Sequence, residues 1–303
     1  MDLKKLDYFV HVADLGSFTK AATQLSIAQS ALSHQVRHLE IELKQTLLHR
    51  NGRGVTPTDA GRRLLAHARG ILMQVRRARD ELTETRDAMV GHVILGLPPT
   101  ISRHLTVPFV KSFRNSFPKA TVSVVEALSA SVVERITEGR VDIGLVFNPA
   151  PLPSVEIRPL YEQQLLLISS KAAGKHRSSK SVQLREIPRY PLILTSRMNA
   201  NRMFIEAQLA QLGLKPQIEF EIDSITSVLD LVHEGYGHAV LPRISLSGHA
   251  FERSFITRPI VKPKLSIPLS LVTSAQRPIT PLARETLSLV QKTISRVLFP
   301  QKP

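Results

Sequence analysis

Residues 17–40 constrain the fold of this chain most tightly, because they carry two apolar stripes with helical spacing on either side of a short polar turn. The first stripe recurs at three- and four-residue intervals and consists of Phe18, Ala21, Ala22 and Leu25. The second has the same spacing and consists of Ile27, Ala31, Leu32, Val36 and Leu39. Upstream, Gly16 is placed to end an earlier helix and Ser17 to cap the next one. The pattern predicts a helix-turn-helix.

The face of the second helix opposite its apolar stripe carries short hydrogen-bonding side chains and one arginine. These residues are Gln29, Ser30, Ser33, His34 and Arg37. Such groups match the base edges and phosphates of a DNA major groove. A polar outer face is also typical of a helix that is merely solvated, and these residues alone leave both interpretations open.

A hairpin is predicted directly after this helix pair. Residues 51–54 read Asn-Gly-Arg-Gly, a sequence that favours a tight turn between two strands. A helix-turn-helix followed by such a hairpin is typical of a winged motif. Arg53 at the tip could enter the minor groove or contact a phosphate, or it could simply be a solvated turn residue.

From Thr58 to Met89, apolar residues recur about every 3.5 positions without a break before Gly91. This spacing predicts one long helix, which the small N-terminal domain cannot cover by itself. We therefore expect the helix to pair with a second copy of the chain as a coiled coil. The contact residues would be Leu65, Leu72, Val75 and Leu82. Packing of the long helix on its own chain stays open as the alternative.

Residues 91–303 alternate short β-branched runs with helical stretches, which predicts α/β units with mostly parallel sheets and room for two lobes around a cleft. Several predicted helices there begin with polar residues directly after a strand. Backbone N–H groups and hydroxyls at such positions can bind a small carboxylate or phosphate. The same residue types also cap helices without any ligand, and the sequence does not show that these turns converge.

Composition narrows the classes of protein further. The chain has no cysteine, which excludes disulfides and cysteine-based zinc sites and is consistent with a reducing cytoplasm. A formal net charge of +15 favours a polyanionic partner. No apolar run approaches the roughly 20 residues of a membrane span, and residues 1–7 lack the apolar core of a secretory signal.

The sequence carries no convincing enzyme signature. It lacks a phosphate-binding loop and a nucleophile elbow. His233, Glu234 and His238 approach the spacing of a zinc hydrolase, but the second histidine lies one residue too far along, and glycines interrupt the helix that this site needs. We therefore predict no catalytic residue, no metal and no cofactor.

The chain resembles LysR-type transcriptional regulators over essentially its full length. The resemblance is carried by the N-terminal helix pair and by residues 28–33, 47–50, 56–61, 91–96, 139–144, 235–237 and 241–242. Residues 97–99 and 147–151 are similar to the nitrogen-assimilation-control branch of that family. Ala28 stands where a capping serine is common, Ser30 where proline is frequent and His34 where arginine is frequent.

The resemblance implies an α/β fold with an N-terminal all-α winged helix-turn-helix domain at residues 1–58, a long linker helix at 59–90 and a two-lobed, periplasmic-binding-protein-like regulatory domain at 91–303. Lobe I would span about 91–161 and 268–303, and lobe II about 162–267. Gln29, Ser30, Ser33, His34 and Arg37 would contact the major groove, and Arg53 the minor groove. The effector cleft would be lined by Thr100, Ser102, Ser129, Ser196 and Asn201.

The same resemblance implies a cytoplasmic homotetramer, a dimer of dimers formed through the linker helices. It would bind double-stranded promoter DNA, act on transcription by RNA polymerase and respond to a small, often anionic effector between the lobes. Two other classes of protein stay open on the residues alone. One is a two-lobed solute-binding protein, and the other is an α/β enzyme fused to a DNA-targeting domain.

Overall fold

The computed structural model describes residues 1–51, 54–83, 89–172 and 180–298. The chain divides into two compact units. The first comprises Met1–Gly91 with Thr137–Arg140, and the second comprises His92–Ile136 with Val141–Pro303. Among the helices of the described ranges, none combines the length and apolar character needed to cross a membrane.

The N-terminal unit is built from helices and one small hairpin. Its helices are α1 (Leu3–Leu15), α2 (Phe18–Leu25), α3 (Gln29–Leu43) and α4 (Asp59–Thr83). Its two antiparallel strands are β1 (Leu48–Asn51) and β2 (Gly54–Pro57). The core is formed by the side chains of Leu6, Phe9, Phe18, Ala21, Leu32, Val36, Leu39 and Leu47. The predicted winged helix-turn-helix is therefore present.

The turns between these helices follow the predicted capping pattern. Gly16 adopts a left-handed conformation (φ 60°) and ends α1, and the Ser17 side chain accepts a hydrogen bond from the Lys20 backbone nitrogen at the start of α2. Ala28 precedes α3 and provides no side-chain cap. The prediction that Ala31 belongs to the buried stripe is wrong, because its methyl group lies on the exposed flank of α3.

Helix α4 begins in close contact with the rest of the N-terminal unit. The Thr58 hydroxyl donates to the Thr46 carbonyl (2.7 Å) and accepts from the Gly61 backbone nitrogen (3.0 Å). A Cβ atom at Gly61 would lie 2.0 Å from the Leu47 carbonyl oxygen. Only glycine therefore permits this approach of α4 to the residue directly before β1.

The second unit contains five helices and ten strands in the described ranges. The helices are α5 (Pro99–Ser116), α6 (Ser129–Thr137), α7 (Ala200–Ala210), α8 (Ile225–His233) and α9 (Pro281–Leu298). The strands are β3 (Gly91–Leu97), β4 (Ala120–Glu126), β5 (Ile143–Phe147), β6 (Val155–Ser170), β7 (Val182–Gln183), β8 (Leu192–Leu194), β9 (Ile218–Glu221), β10 (Ala239–Pro242), β11 (Phe255–Val261) and β12 (Ser266–Ser274). Short 3-10 helices occupy Leu184–Arg189, Arg243–Ser245 and Glu252–Ser254.

The sheets are mixed, and the prediction that they are mostly parallel is wrong. Strand β12 runs antiparallel to β5 and β6, and β10 and β11 run antiparallel to β6. Parallel pairing joins β3 to β5, β11 to β7 and β8 to β9. Strand β12 lies between β5 and β6 although it comes more than 90 residues after them, and β10 and β11 both pair with β6, so the alternation of strands and helices along the chain did not determine the strand directions.

One strand belongs to both lobes. Strand β6 is 16 residues long, and its first part, up to Gln164, pairs with β12, while Leu165–Ser170 pair with β10 and β11. Strands β3, β4 and β5 adjoin the β12 side of this long strand, and β7 adjoins β11. The second unit therefore has two lobes that share β6. The residue boundaries given above for the three domains and two lobes stay predictions.

Candidate functional site

The outer face of α3 carries five of the six residues predicted to contact DNA. Gln29, Ser30, His34 and Arg37 are exposed, and Ser33 is half-buried. On the opposite face the side chains of Leu32, Val36 and Leu39 are fully buried and hold the helix on the core. The sixth predicted residue, Arg53, lies outside the described residues.

A glutamate fixes the end of α3 to the hairpin. One carboxylate oxygen of Glu40 accepts hydrogen bonds from the backbone nitrogens of Leu47 (2.8 Å) and Leu48 (3.2 Å). The N–H groups of the first residue of β1 and of the residue before it are thereby satisfied by a charged acceptor, the stronger kind of hydrogen bond. The orientation of the α3 face relative to the hairpin follows from this contact.

An ion pair attaches the start of α1 to the end of α3. The Glu42 carboxylate accepts from the Lys5 ammonium (2.8 Å) and pairs with the N-terminal amine (2.8 Å). The hydrogen bond from Lys5, together with that from the amine, lowers the pKa of Glu42 to about 2. This carboxylate is therefore charged at any physiological pH.

Arg50 on β1 is a functional candidate that the sequence did not single out. Its guanidinium donates to the Ser33 hydroxyl (3.0 Å) and lies over the Phe18 ring, 4.5 Å from the ring centroid. Because the Ser33 oxygen accepts from Arg50, its own proton remains available to donate outward. Arg50 belongs to one of the segments that carry the family resemblance, but local pattern could not reveal that it reaches a residue 17 positions earlier.

Some of the linker residues predicted to mediate dimerisation pack against their own chain. Leu65 and Leu72 are partly buried against the N-terminal core, and Val75 is half-buried. Leu82 lies within α4, but its side chain is outside the described part of the chain. Beside these residues, Ile71 is 38% exposed and borders a groove of about 840 Å³ that also involves Met1, Leu3, Tyr8 and Ile27.

Between the two lobes lies a polar recess of about 500 Å³. Lobe I contributes Pro99, Thr100, Arg103, His104 and Glu126, and lobe II contributes Asp223, Ser224, Ile225, Thr226 and Ser245. We refer to this set of residues as the polar recess. It brings together the start of α5, the end of β4 and the start of α8.

Two hydrogen bonds cross between the lobes beside the polar recess. The Arg103 guanidinium donates to the Gly248 carbonyl (2.7 Å), and Nε2 of His104 lies 3.1 Å from the Ile244 carbonyl. Burial lowers the pKa of His104 below its ordinary value, so the imidazole is neutral at pH 7 and donates its Nε2 proton to this carbonyl.

A smaller and mostly apolar recess of about 220 Å³ also lies between the lobes. Its walls include Val133, Phe147, Leu152, Met198 and Met203. We refer to it as the apolar recess. The cleft therefore offers both a polar and an apolar environment.

The predicted effector residues are distributed unevenly around these recesses. Thr100 lines the polar recess, and Ser129 lines the apolar one, although the Ser129 hydroxyl already accepts from the Phe147 backbone nitrogen (3.0 Å). Ser102, Ser196 and Asn201 do not line either recess. Arg103, His104 and Asp223 do line the polar recess, and sequence pattern did not identify them as site residues.

The three outlying residues have local roles. The Ser102 hydroxyl lies 3.2 Å from that of Thr106, and the Ser196 backbone nitrogen donates to the Asp223 carboxylate (2.8 Å). Asn201 is 6% exposed, and its side-chain oxygen has no hydrogen-bond partner among the described residues. It stays a candidate for contact with a ligand that enters from the cleft.

The histidines that resemble a zinc motif are used in packing. His233 stacks on Phe251 with ring centroids 3.9 Å apart, and Nδ1 of His238 lies 2.7 Å from the Ser169 hydroxyl. Within the described ranges, no cluster of three or more histidine or carboxylate side chains could hold a metal ion.

Comparison with known proteins places both units in one family. Residues 3–62 match the model "Bacterial regulatory helix-turn-helix protein, lysR family", and residues 86–295 match the model "LysR substrate binding domain". The chain is 33% identical over 300 residues to the nitrogen assimilation regulatory protein nac of Klebsiella aerogenes, covering 98% of this chain and 96% of that protein.

Solved structures share the fold at lower sequence identity. A full-length OxyR variant from Pseudomonas aeruginosa superimposes with a TM-score of 0.75 at 20% identity, covering 100% of this chain and 99% of the other. Full-length CbnR, solved in complex with its target DNA, has a TM-score of 0.69 at 23% identity, covering 97% of this chain and 100% of the other.

These matches span both the DNA-binding and the regulatory parts of the chain, and the proteins matched are transcriptional regulators and not enzymes. The chain therefore belongs to the LysR family of DNA-binding transcriptional regulators, with an N-terminal helix-turn-helix domain and an effector-binding domain.

Proposed function

We propose that this regulator acts in the cytoplasm as a dimer of dimers, reads promoter DNA with α3 and responds to a small anionic effector in the cleft between its lobes. The observation that carries the proposal is the exposed polar face of α3, which lies opposite a fully buried apolar stripe. A helix held in this way can present its side chains to a major groove without losing contact with its own core.

In this proposal, Gln29, Ser30, Ser33 and His34 contact base edges, and Arg37 contacts a base or phosphate. Ser33 donates a hydrogen bond to a base acceptor, because its oxygen already accepts from Arg50. Arg53 would extend from the hairpin to the minor groove, as the resemblance implies.

Dimerisation is proposed to occur through α4, with contacts at Leu65, Leu72, Val75 and Leu82. The exposed side chain of Ile71 and the groove beside it support this proposal, because they leave apolar surface uncovered in a single chain. Two-fold symmetry then predicts DNA half-sites about one helical turn apart, and a second pairing of dimers gives the tetramer.

The proposed effector contacts are Thr100, Ser102, Ser129, Ser196 and Asn201 around the cleft. Support for a negatively charged group comes from Arg103 and from the starts of α5 and α8 at the polar recess. An effector that bridges the lobes would change their relative position and, through the tetramer, the access of RNA polymerase to the promoter.

The first experiment is a gel shift with the DNA upstream of the gene that encodes this chain, at several salt concentrations and with excess unrelated DNA. We expect a discrete complex that survives the competitor. Binding that is equally strong on any sequence and disappears with salt would contradict sequence-specific regulation.

The second experiment measures oligomeric state by sedimentation for the wild type, Leu72→Glu and Ile71→Glu. Both substitutions place a charge in the proposed apolar contact and should dissociate the dimer. Ile71→Glu is the cleaner variant, because Ile71 is exposed in a single chain whereas Leu72 also packs on the N-terminal core. An unchanged sedimentation profile for both would show that α4 serves only its own chain.

A further inference from the structure

The polar recess holds charges of both signs, which is unusual for a site that binds a simple anion. Arg103 supplies a positive charge, and Glu126 and Asp223 supply two negative ones. A ligand that carried only a carboxylate would therefore be attracted by Arg103 and repelled by the two carboxylates.

The two carboxylates differ in their surroundings. Asp223 accepts a hydrogen bond from the Ser196 backbone nitrogen (2.8 Å), and this bond holds the pKa of its carboxyl below the ordinary value. Glu126 is exposed at the end of β4, and its side chain has no hydrogen bond or ion pair to any residue that the structure describes. Its carboxyl oxygens are therefore available to a cationic group that enters the recess.

Other groups of the recess suit a carboxylate. Arg103 uses one nitrogen for the Gly248 carbonyl and has further N–H donors, since a guanidinium carries five. The first-turn backbone N–H groups of α8, at Ile225 and Thr226, also face a region where a negative charge is stabilised.

A buried hydroxyl at the recess is a further polar group that a ligand could contact. Ser245 lines the recess and is 3% exposed, and its hydroxyl has no hydrogen-bond partner among the described residues. Buried hydroxyls normally have a partner, so a polar atom of a bound ligand, or a water that the ligand orders, would fill this gap.

We propose that the polar recess selects a small zwitterion of the α-amino-acid class. Its carboxylate would lie against Arg103 and the start of α8, and its ammonium group against Glu126 and Asp223. The recess of about 500 Å³ is within the usual range for small-molecule sites. This inference rests on the proposed effector function, keeps the carboxylate proposed there and adds a positively charged group on the same ligand.

The test compares three matched ligand sets on the full-length protein by thermal shift. The sets are the free L-amino acids, the 2-hydroxy acids that replace each ammonium with a hydroxyl, and the amines that lack the carboxylate. We expect one or more amino acids to raise the melting temperature in a saturable manner, because a ligand that binds the folded state stabilises it. The matching hydroxy acids and amines should produce no comparable shift.

Glu126→Gln should raise the dissociation constant of the stabilising amino acid roughly tenfold, because it removes one charge partner of the ammonium group. The dissociation constant is measured by calorimetry. Glu285→Gln, an exposed glutamate on α9 outside the recess, is the matched control and should leave the affinity unchanged.

Three outcomes would overturn the inference. If hydroxy acids stabilise the protein as well as amino acids do, the cleft still binds an anionic effector and only the zwitterion is wrong. If Glu126→Gln and Glu285→Gln behave alike, the ammonium group is not recognised at this recess. If no ligand of the three sets binds, the inference also fails, and sequence-specific DNA binding is judged separately by the gel shift.

Discussion

Glu40 allows the sharpest test of how α3 is attached to the hairpin. Its carboxylate accepts from two backbone N–H groups, at Leu47 and Leu48, and Glu40→Ala removes both acceptors at once. A hydrogen bond to a charged group contributes about 1.5–3 kcal/mol. The site is only partly buried, so the lower value for each bond is appropriate, and the expected loss is about 3 kcal/mol.

This loss should appear as faster hydrogen exchange in the peptide that contains residues 44–50 of the full-length protein. When exchange follows local opening, a loss of about 3 kcal/mol corresponds to an acceleration of roughly a hundredfold. Glu40→Gln keeps an oxygen that can accept but loses the charge, so its acceleration should be intermediate. DNA affinity should fall in the same order, because the hairpin and α3 lose their common anchor.

Glu42→Ala is the matched control, since it removes the same charge from the same helix. Glu42 is exposed and pairs with Lys5 and the N-terminal amine, not with backbone nitrogens. Its removal should leave exchange in residues 44–50 close to that of the wild type. Equal exchange in Glu40→Ala and Glu42→Ala would refute the assignment of Glu40 as the anchor.

Three further predictions concern the same unit. Ala28→Ser should stabilise it by about 1 kcal/mol in chemical denaturation, because the backbone at this position already has the extended conformation of a cap; no gain would mean that the α3 N-terminus needs no side-chain acceptor. Gly61→Ala should abolish operator binding in a gel shift, because the added methyl group collides with the Leu47 carbonyl and α4 must move; full binding would contradict this close approach. The stabilising effect of Glu42 is the difference in unfolding free energy between wild type and Glu42→Gln. It should be complete above the ordinary pKa of 4.5 and disappear as the pH falls to about 2. A difference that persists at pH 2 would contradict the ion pair.

Local pattern predicted the N-terminal unit well because its helices are short and strongly periodic. The stripe of Leu32, Val36 and Leu39 is buried as expected, and Gly16 and Ser17 have the predicted capping roles. The exception is Ala31, whose small side chain is compatible with either face of a helix, so that its position carries little information.

The regulatory domain was harder to predict because its architecture depends on contacts between distant residues. A run such as β6 shows that a strand forms, but not that its two halves pair with different partners. The order of strands decides which turns meet at the cleft, and this order has no local signature. The sequence could therefore suggest Thr100 as a cleft residue but not Asp223. The two residues line the same recess although they are 123 positions apart in the sequence.

Arg50 shows the same limit within the DNA-binding domain. Its position on β1 was predictable from the hairpin signal at residues 51–54, but its contact with Ser33 depends on how the strand packs beside α3. Such a contact becomes visible only when the two elements are placed in three dimensions.

The most direct test of the central claim, that α3 reads base pairs, is the affinity of the protein for a complete set of single base-pair variants of its operator. We predict that Ser33→Ala loses roughly 1–3 kcal/mol of discrimination at one base pair in each half-site and keeps its discrimination at the others. Arg50→Gln should reduce the discrimination between base pairs at the same operator position, because Arg50 orients the Ser33 hydroxyl. A uniform loss of affinity across all variants, for both substitutions, would contradict base reading by this helix.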